Sequence, residues 1–424
     1  MTTTRVTSAD YRQPYRPRSV ALLNRLGEVA PLGPLGARLQ ADALIAAARR
    51  RGGLDRFDGE EFREPLRRLV DAIEREARLT ATGRLITRTR LVGILKNRLR
   101  AQALFEQHAE ILDEAVEAPV FIVGLQRTGT TMLQRLLAAD PGLRALASWE
   151  ALNPAPLARR PWHRRDPRID HAVRGEKGLR YLAPDFFAIH PVVAEAPEEE
   201  VILLDHTFLS TVAESILHVP SFAAWLEEQD QTPAYEYLRK MLQLLQWQAR
   251  GDRWILKTPH HLEWLDTLLA VFPDARIVQT HRDPVKTLAS FCSMIGHGRG
   301  VFSDDVDPHE VGAHWSRKTR RQVDRAMAAR DARAARGGGG AFLDVSYYDL
   351  MADPMTQVQR IYDFIGRPLD ERLRRLMLAS RRDNPQHKHG EHRYRLEDFG
   401  LDRDRVEAGF ASYRARHAIP REGV

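Results

Sequence analysis

The spacing of apolar residues changes character near residue 115. Before that point, leucine, valine and isoleucine recur every three or four residues between charged positions, as over residues 66–77 and again over residues 91–99. This is the period of amphipathic helices that bury one face. We therefore predict an N-terminal helical extension over residues 1–115 and a separate domain over residues 116–424.

Beyond Pro119 the pattern becomes a series of short apolar runs separated by helical stretches. The runs cover residues 120–123, 253–256, 276–280 and 341–345. Runs without polar alternation are typical of strands buried on both faces of a parallel sheet. Strands that alternate with helices predict an α/β domain of three layers, a parallel sheet flanked by helices. Ligands of such domains bind beyond the carboxyl ends of the strands.

Composition narrows the chemistry. Hydrophobic residues make up 43% of the 424 positions, and the formal net charge is +7, which favours an anionic ligand. Cys292 is the single cysteine, so it has no partner for an intramolecular disulfide, and no Cys/His spacing indicates a metal site. The sequence has neither a signal-peptide core nor an apolar run of membrane-spanning length. We expect a cytoplasmic protein with no metal and no transmembrane segment.

The loop after the first predicted strand is the most informative segment. Residues 124–131 read Gly-Leu-Gln-Arg-Thr-Gly-Thr-Thr and precede a helical stretch. Glycines at a strand-to-helix junction let backbone N–H groups converge on an anion, and the helix N-terminus adds partial positive charge. The spacing is that of a P-loop, but Thr130 stands at the position of its lysine, and Arg127 lies inside the loop instead. A phosphate site is predicted, without the lysine that metal-assisted triphosphate cleavage uses.

Two motifs together resemble the family of sulfotransferases that use 3′-phosphoadenylyl sulfate (PAPS). The loop resembles the family's 5′-phosphosulfate loop, and Arg282, followed eight residues later by Ser290, resembles its 3′-phosphate element. The resemblance implies a P-loop-like fold. It also implies transfer of a sulfuryl group from PAPS to a hydroxyl or amine acceptor, with release of adenosine 3′,5′-bisphosphate (PAP). The loop residues that it assigns to donor binding are Arg127, Thr128, Gly129, Thr130 and Thr131.

Other segments extend the resemblance. Residues 388–394 are similar to the loop that closes over the nucleotide, which implies donor contacts from Lys388, Gly390 and Tyr394. Met132 departs from the family pattern, because cytosolic animal members have there a tryptophan that stacks on adenine. In this respect the chain resembles the bacterial soluble members.

The resemblance also suggests catalytic residues. Arg127 and Lys257, at the end of the second predicted strand, are expected to stabilise charge on the leaving phosphate. Glu150 follows the first helix where Golgi-type members place a catalytic glutamate, and His260 lies one position beyond the histidine of cytosolic animal members. His190 is a third candidate for the base. A structural role is an equal alternative for each: a helix-end salt bridge, a helix N-cap and a hydrogen-bonded loop histidine.

Several questions stay open at this level. The acidic residues 198–200 are interpreted as a solvated helix start, since glutamate is common in first turns. A nucleotide kinase or ATPase is an alternative function, but it would need the missing lysine. A basic nucleic-acid-binding protein is another, but arginines here are interspersed with acidic residues. No nucleic-acid partner is expected. The acceptor, a small molecule, lipid or glycan, and the oligomeric state are not indicated.

Overall fold

The computed structural model describes residues 6–7, 11, 14–29, 38–157, 165–383 and 392–422. The strands are β1 (Val6–Thr7), β2 (Val120–Gly124), β3 (Leu143–Ala145), β4 (Arg253–Lys257), β5 (Arg276–His281), β6 (Phe342–Ser346) and β7 (His392–Arg393). The first ten α-helices are α1 (Arg18–Val29), α2 (Ala41–Gly52), α3 (Arg63–Glu76), α4 (Ala81–Gln107), α5 (Thr130–Leu137), α6 (Ser148–Leu152), α7 (Pro167–Leu182), α8 (Pro184–Ile189), α9 (Val201–Leu204) and α10 (Val212–Ile216).

The remaining α-helices are α11 (Pro220–Leu226), α12 (Thr232–Gln248), α13 (Leu265–Val271), α14 (Pro284–Arg299), α15 (Pro308–Ala335), α16 (Tyr347–Ala352), α17 (Pro354–Phe364), α18 (Glu371–Asp383), α19 (Arg403–Gly409) and α20 (Ala411–Arg416). Short 3-10 helices cover Ala109–Asp113, Asp205–Thr207, Pro259–Glu263, Gly339–Ala341 and Glu397–Phe399. Within the described ranges, no helix is long and apolar enough to cross a membrane.

A five-stranded parallel sheet, in the order β3-β4-β2-β5-β6, forms the centre of the molecule. The apolar strand β2 is buried throughout and pairs with β4 on one side and β5 on the other. The predicted α/β class and its four strands are confirmed. Strand β3 was not predicted. Its three residues include an arginine, and they lie at the sheet edge, where an apolar run is not required.

Alternate residues of β2 face two separate layers. Phe121 and Val123 belong to the larger hydrophobic cluster, which also contains Leu66 and Leu91 of the N-terminal helices. The intervening residues Val120 and Ile122 belong to a smaller cluster with α5 and α17. Side chains along a strand point to opposite faces in turn, so one strand anchors both helical layers. The domain boundary between residues 115 and 116 stays a prediction.

A buried lysine joins four segments beside the sheet. Lys318 of α15 is fully buried, and its Nζ lies 2.9 Å from Glu263, 3.1 Å from Glu227 and 3.2 Å from Glu214. Burial opposes the charged form, but the three carboxylates together raise the pKa of Lys318. Arg321 also pairs with Glu263, at 2.5 Å. The cluster is therefore a dense ionic network that depends on a central cation.

Cys292 lies on the buried face of α14. Its side chain has no exposed surface, and burial raises the pKa of the thiol well above its ordinary value. The thiolate is the reactive form of cysteine. This side chain therefore packs as an apolar group.

Candidate active site

The loop between β2 and α5 is held tightly against strand β5. Gly124 has φ of 152°, and a Cβ atom at this position would lie 2.2 Å from Oγ1 of Thr280. Thr128 is buried, and its hydroxyl donates to the carbonyl oxygen of Leu125 at 2.6 Å and lies 2.6 Å from the Thr280 hydroxyl. Glycine is required at Gly124 by both conformation and space. Thr128 thus fixes the loop with its side chain, which leaves only its backbone for a ligand.

The two predicted anion motifs meet at Arg127. The Nε group of Arg127, which has φ of 70°, donates to the Ser290 hydroxyl at 3.1 Å. Arg282 donates from Nη1 to the carbonyl oxygen of Arg127 at 2.9 Å. Strands β2 and β5 are neighbours, so the segments that follow them are brought together at the same sheet edge. The motifs form one site despite their separation in sequence.

This site opens into a cavity of about 300 Å³. Its described lining residues are Gln126, Arg127, Gly129, Thr130, Thr131, Met132, Arg135, Leu136, His190, Glu199, Pro259, Arg282, Met294, Tyr347, Met351, Ser380 and Arg381. Thr130 and Thr131 open the first turn of α5, where backbone N–H groups lack helical partners. The cavity is therefore positively charged on the side of the loop.

A lysine and a glutamate face each other beside this loop. The Nζ of Lys257, at the end of β4, lies 2.5 Å from Oε1 of Glu199 and 3.4 Å from the hydroxyl of Thr131. The other oxygen of Glu199 accepts a hydrogen bond from the Thr258 hydroxyl at 3.1 Å. Glu199 lines the cavity, whereas Lys257 is buried behind it. A carboxylate and an ammonium are thus available next to a phosphate-binding loop.

Residues 119–371 match the sequence model of the Sulfotransferase family, which covers more than half of the chain. The chain belongs to this family. Two solved sulfotransferases are similar over most of its length. STF9 from Mycobacterium avium has 32% identity and a TM-score of 0.81, with 91% of this chain and 98% of STF9 covered. STF1 from Mycobacterium tuberculosis H37Rv has 36% identity and a TM-score of 0.73, with 88% of this chain and 99% of STF1 covered.

Curated relatives are more distant. Omega-hydroxy-beta-dihydromenaquinone-9 sulfotransferase Stf3 from Mycobacterium bovis is 25% identical over 264 residues, which cover 59% of this chain and 63% of that protein. The chain therefore spans less than two thirds of the length of this relative. The comparisons confirm the predicted family and the three-layer fold.

The acidic run of this sulfotransferase is not a solvated helix start, so that interpretation is wrong. Glu200 is fully buried, accepts a hydrogen bond from the backbone N–H of Lys257 at 2.7 Å and lies 2.8 Å from Nε2 of His261. Burial, followed by the charge of Glu199, raises the pKa of Glu198. A buried carboxylate requires such partners. The run connects the end of β4 to the cavity.

The predicted base candidates occupy different environments in the sulfotransferase. Glu150 pairs with Arg144 at 2.8 Å and accepts from the backbone N–H of Ala147 at 3.1 Å, so both its oxygens have partners. His260 is buried against Trp264, and burial lowers its pKa well below the ordinary value. Neither is among the described residues that line the cavity.

His190, the third candidate, does line the cavity. Its enclosure, opposed by Glu199 and supported by neighbouring cations including Lys257 and Arg127, lowers the pKa of its imidazole to about 4. The ring is therefore neutral near pH 7.

The predicted closing loop is only partly described. Lys388 and Gly390 lie outside the described residues. Tyr394 is described, packs against the larger hydrophobic cluster and interacts electrostatically with both Arg127 and Arg282. It thus lies in the neighbourhood that the sequence predicted for it.

Sequence reasoning missed two residues of the cavity wall. The Tyr347 ring lies under the Arg282 guanidinium, with 4.0 Å between the ring centroid and Cζ. The Oε1 atom of Gln126 is buried without a hydrogen-bond partner among the described residues. Gln126 lies within the recognised loop, so its place there was a usable signal. Tyr347 follows β6, the strand beside β5, which was a weaker one.

Proposed function

We propose that this sulfotransferase moves a sulfuryl group from PAPS to a hydroxyl or amine acceptor and releases PAP. The observation that carries this proposal is the direct contact between Arg127 and Ser290. One motif provides a 5′-phosphate site and the other a 3′-phosphate site, and both open into one cavity. A single nucleotide with phosphates at both positions fits this arrangement, whereas ATP has no group for the second motif.

The described residues fit such a donor. Thr130 and Thr131, with the backbone N–H groups of the loop, would hold the 5′-phosphosulfate. Arg282 and Ser290 would hold the 3′-phosphate by charge-assisted and neutral hydrogen bonds. The unpartnered oxygen of Gln126 offers an acceptor to an amine or hydroxyl of the nucleotide. Cations, hydroxyls and a free acceptor thus match the groups of an adenosine bisphosphate.

Glu199 is proposed as the general base. PAPS supplies the sulfuryl group when bound, and the acceptor oxygen or nitrogen forms a new bond to sulfur as the bond between sulfur and the phosphate oxygen breaks. Glu199 takes the acceptor proton, because its carboxylate faces the cavity beside the loop. Lys257 and Arg127 stabilise the negative charge left on the phosphate oxygen. Glu150 and His260 remain predictions as bases.

The acceptor is proposed to carry an apolar body next to its reacting group. Apolar side chains form part of the cavity wall, namely Met132, Leu136, Met294 and Met351, together with Pro259. Methionine side chains adapt to irregular apolar ligands. The name of the relative Stf3 records a menaquinone derivative as its acceptor, which is such a compound. A cytoplasmic location stays a prediction.

Calorimetry on the isolated protein tests the proposed function. We expect PAP to bind more tightly than ATP with magnesium, because ATP leaves Arg282 and Ser290 without a phosphate. An equal affinity, or a preference for ATP, would support the kinase alternative. A screen of acceptors with labelled PAPS would then test transfer itself.

Replacing Arg282 tests the 3′-phosphate site. We expect Arg282→Ala to weaken PAP binding by roughly 10- to 100-fold, since a hydrogen bond to a charged group contributes about 1.5 to 3 kcal/mol. Adenosine 5′-monophosphate (AMP), which lacks the 3′-phosphate, should lose little affinity in the same titration. Arg320→Ala, at a surface pair on α15, is the matched control and should change neither value. A similar loss for both nucleotides would remove Arg282 from this role.

A further inference from the structure

The chain brings a carboxylate from its C-terminal segment to the proposed 3′-phosphate site. Glu422 accepts two hydrogen bonds from Arg282, from Nε at 2.6 Å and from Nη2 at 2.9 Å. This is the bidentate geometry that arginine forms with planar anions. The Nη1 group of the same guanidinium donates to the carbonyl oxygen of Arg127 at 2.9 Å. Arg282 is therefore held on two sides by protein groups.

The number of donors on arginine shows what remains for a ligand. A guanidinium has five N–H donors in a fixed plane. Glu422 uses two of them and Arg127 uses one. Two N–H groups remain, one on Nη1 and one on Nη2, and they form the end of the guanidinium. Arg282 lines the cavity, so this end offers a paired donor to an anion there.

Glu422 is itself fixed in place by several contacts. Its backbone N–H donates to Oδ2 of Asp283 at 2.7 Å, and the Tyr348 hydroxyl donates to its Oε1 at 3.2 Å. The other oxygen of Asp283 accepts hydrogen bonds from Arg414 of α20, at 2.8 Å, and from the first turn of α14. Asp283 thus ties the C-terminal segment to the helix start that follows Arg282.

The charges also call for a carboxylate at this position. Arg127 and Arg282 lie side by side, and removal from bulk water together with the Arg282 charge lowers the pKa of Arg127. Enclosure opposes the charged form of Arg282 too, but pairing with Glu422 raises its pKa. Two adjacent guanidinium groups repel each other when the cavity holds no anion. Glu422 offsets that repulsion on the side of Arg282 away from the two free donors.

We propose that Glu422 is a positioning residue that sets specificity for the 3′-phosphate by orienting the Arg282 guanidinium. This inference rests on the proposed function, because it assumes that Arg282 binds that phosphate. Glu422 acts through Arg282 and does not contact the donor. Its removal leaves the arginine free to rotate, so the paired donors are no longer held ready for the phosphate.

Calorimetry with PAP and AMP tests this role. Glu422→Ala should weaken PAP binding about 10-fold or more and leave AMP binding unchanged, as expected when a charge-assisted bidentate contact no longer holds Arg282. Glu422→Gln, which keeps one acceptor oxygen but loses the charge, should give an intermediate value. The matched control is Glu407→Gln, because Glu407 pairs with Arg421 in the same segment but has no contact with Arg282. It should bind both nucleotides as the unmodified protein does.

The outcomes separate this inference from the proposed function. If the unmodified protein bound PAP and AMP equally, the 3′-phosphate site and this inference would both be overturned. Tighter PAP binding by Glu422→Ala would overturn only the inference, since it would show that the carboxylate competes with the phosphate. An equal loss for both nucleotides would do the same, because it would indicate a general structural effect. Thermal unfolding of each variant identifies such an effect.

Discussion

Glu199→Gln is expected to lower kcat for sulfuryl transfer by about 10²- to 10⁴-fold, the usual contribution of a positioned general base. The glutamine keeps an oxygen that can accept from Thr258, but it cannot take the acceptor proton at neutral pH. PAP affinity should change little, because Glu199 faces the side of Lys257 and Thr131 and has no contact with Arg282 or Ser290. Labelled PAPS with an acceptor found by screening gives kcat, and calorimetry gives the affinity.

Two other variants serve as comparisons for this experiment. Glu150→Gln should retain most of the transfer rate, since Glu150 pairs with Arg144 and the helix start outside the lined cavity. A large loss in this variant with a normal rate for Glu199→Gln would assign the base to Glu150 instead. His190→Gln distinguishes the remaining candidate. If His190 were the base, the activity of the unmodified protein would fall as pH decreases through its pKa of about 4, and the variant would lose that step.

Lys318→Met is expected to destabilise the folded protein by roughly 3 to 5 kcal/mol, because breaking a buried ion pair leaves uncompensated charge. Lys318 is surrounded by three carboxylates, of which Glu214 and Glu263 are almost fully buried. Methionine has a similar length, so loss of the charge rather than of volume dominates the effect. Urea denaturation followed by circular dichroism measures the free energy of unfolding.

An exposed lysine is the control for this substitution. Lys177→Met, on the outer face of α7, should change the free energy of unfolding by no more than about 0.5 kcal/mol. A change below about 1 kcal/mol for Lys318→Met would show that Arg321, His314 and Arg317 satisfy the carboxylates without the central cation.

The sequence predicted the parts of the site that are local. The loop around Arg127 and the spacing between Arg282 and Ser290 are each contained in one strand-to-helix segment. Their meeting at one sheet edge then follows from parallel topology. Burial on both faces likewise made the apolar run of β2 visible. These features depend on neighbours in the sequence or on a general rule of the fold.

The missed features depend on long-range partners. Glu199 and Glu200 were assigned to a solvated helix start, because nothing near them indicates that the end of β4 supplies their partners. Glu422 meets Arg282 across 140 positions, and no periodicity connects them. Whether a glutamate is solvated or buried is decided by these contacts. Local propensity describes its helix position but not its environment.

The buried thiol of Cys292 has a practical consequence for spectroscopy. The natural chain contains this one cysteine, and it lies beneath α14 without exposed surface. A cysteine introduced at the exposed position Arg421 would therefore react with a maleimide fluorophore far faster than Cys292. The emission of such a dye would follow the environment of the C-terminal segment during nucleotide titrations without any need to remove a native side chain.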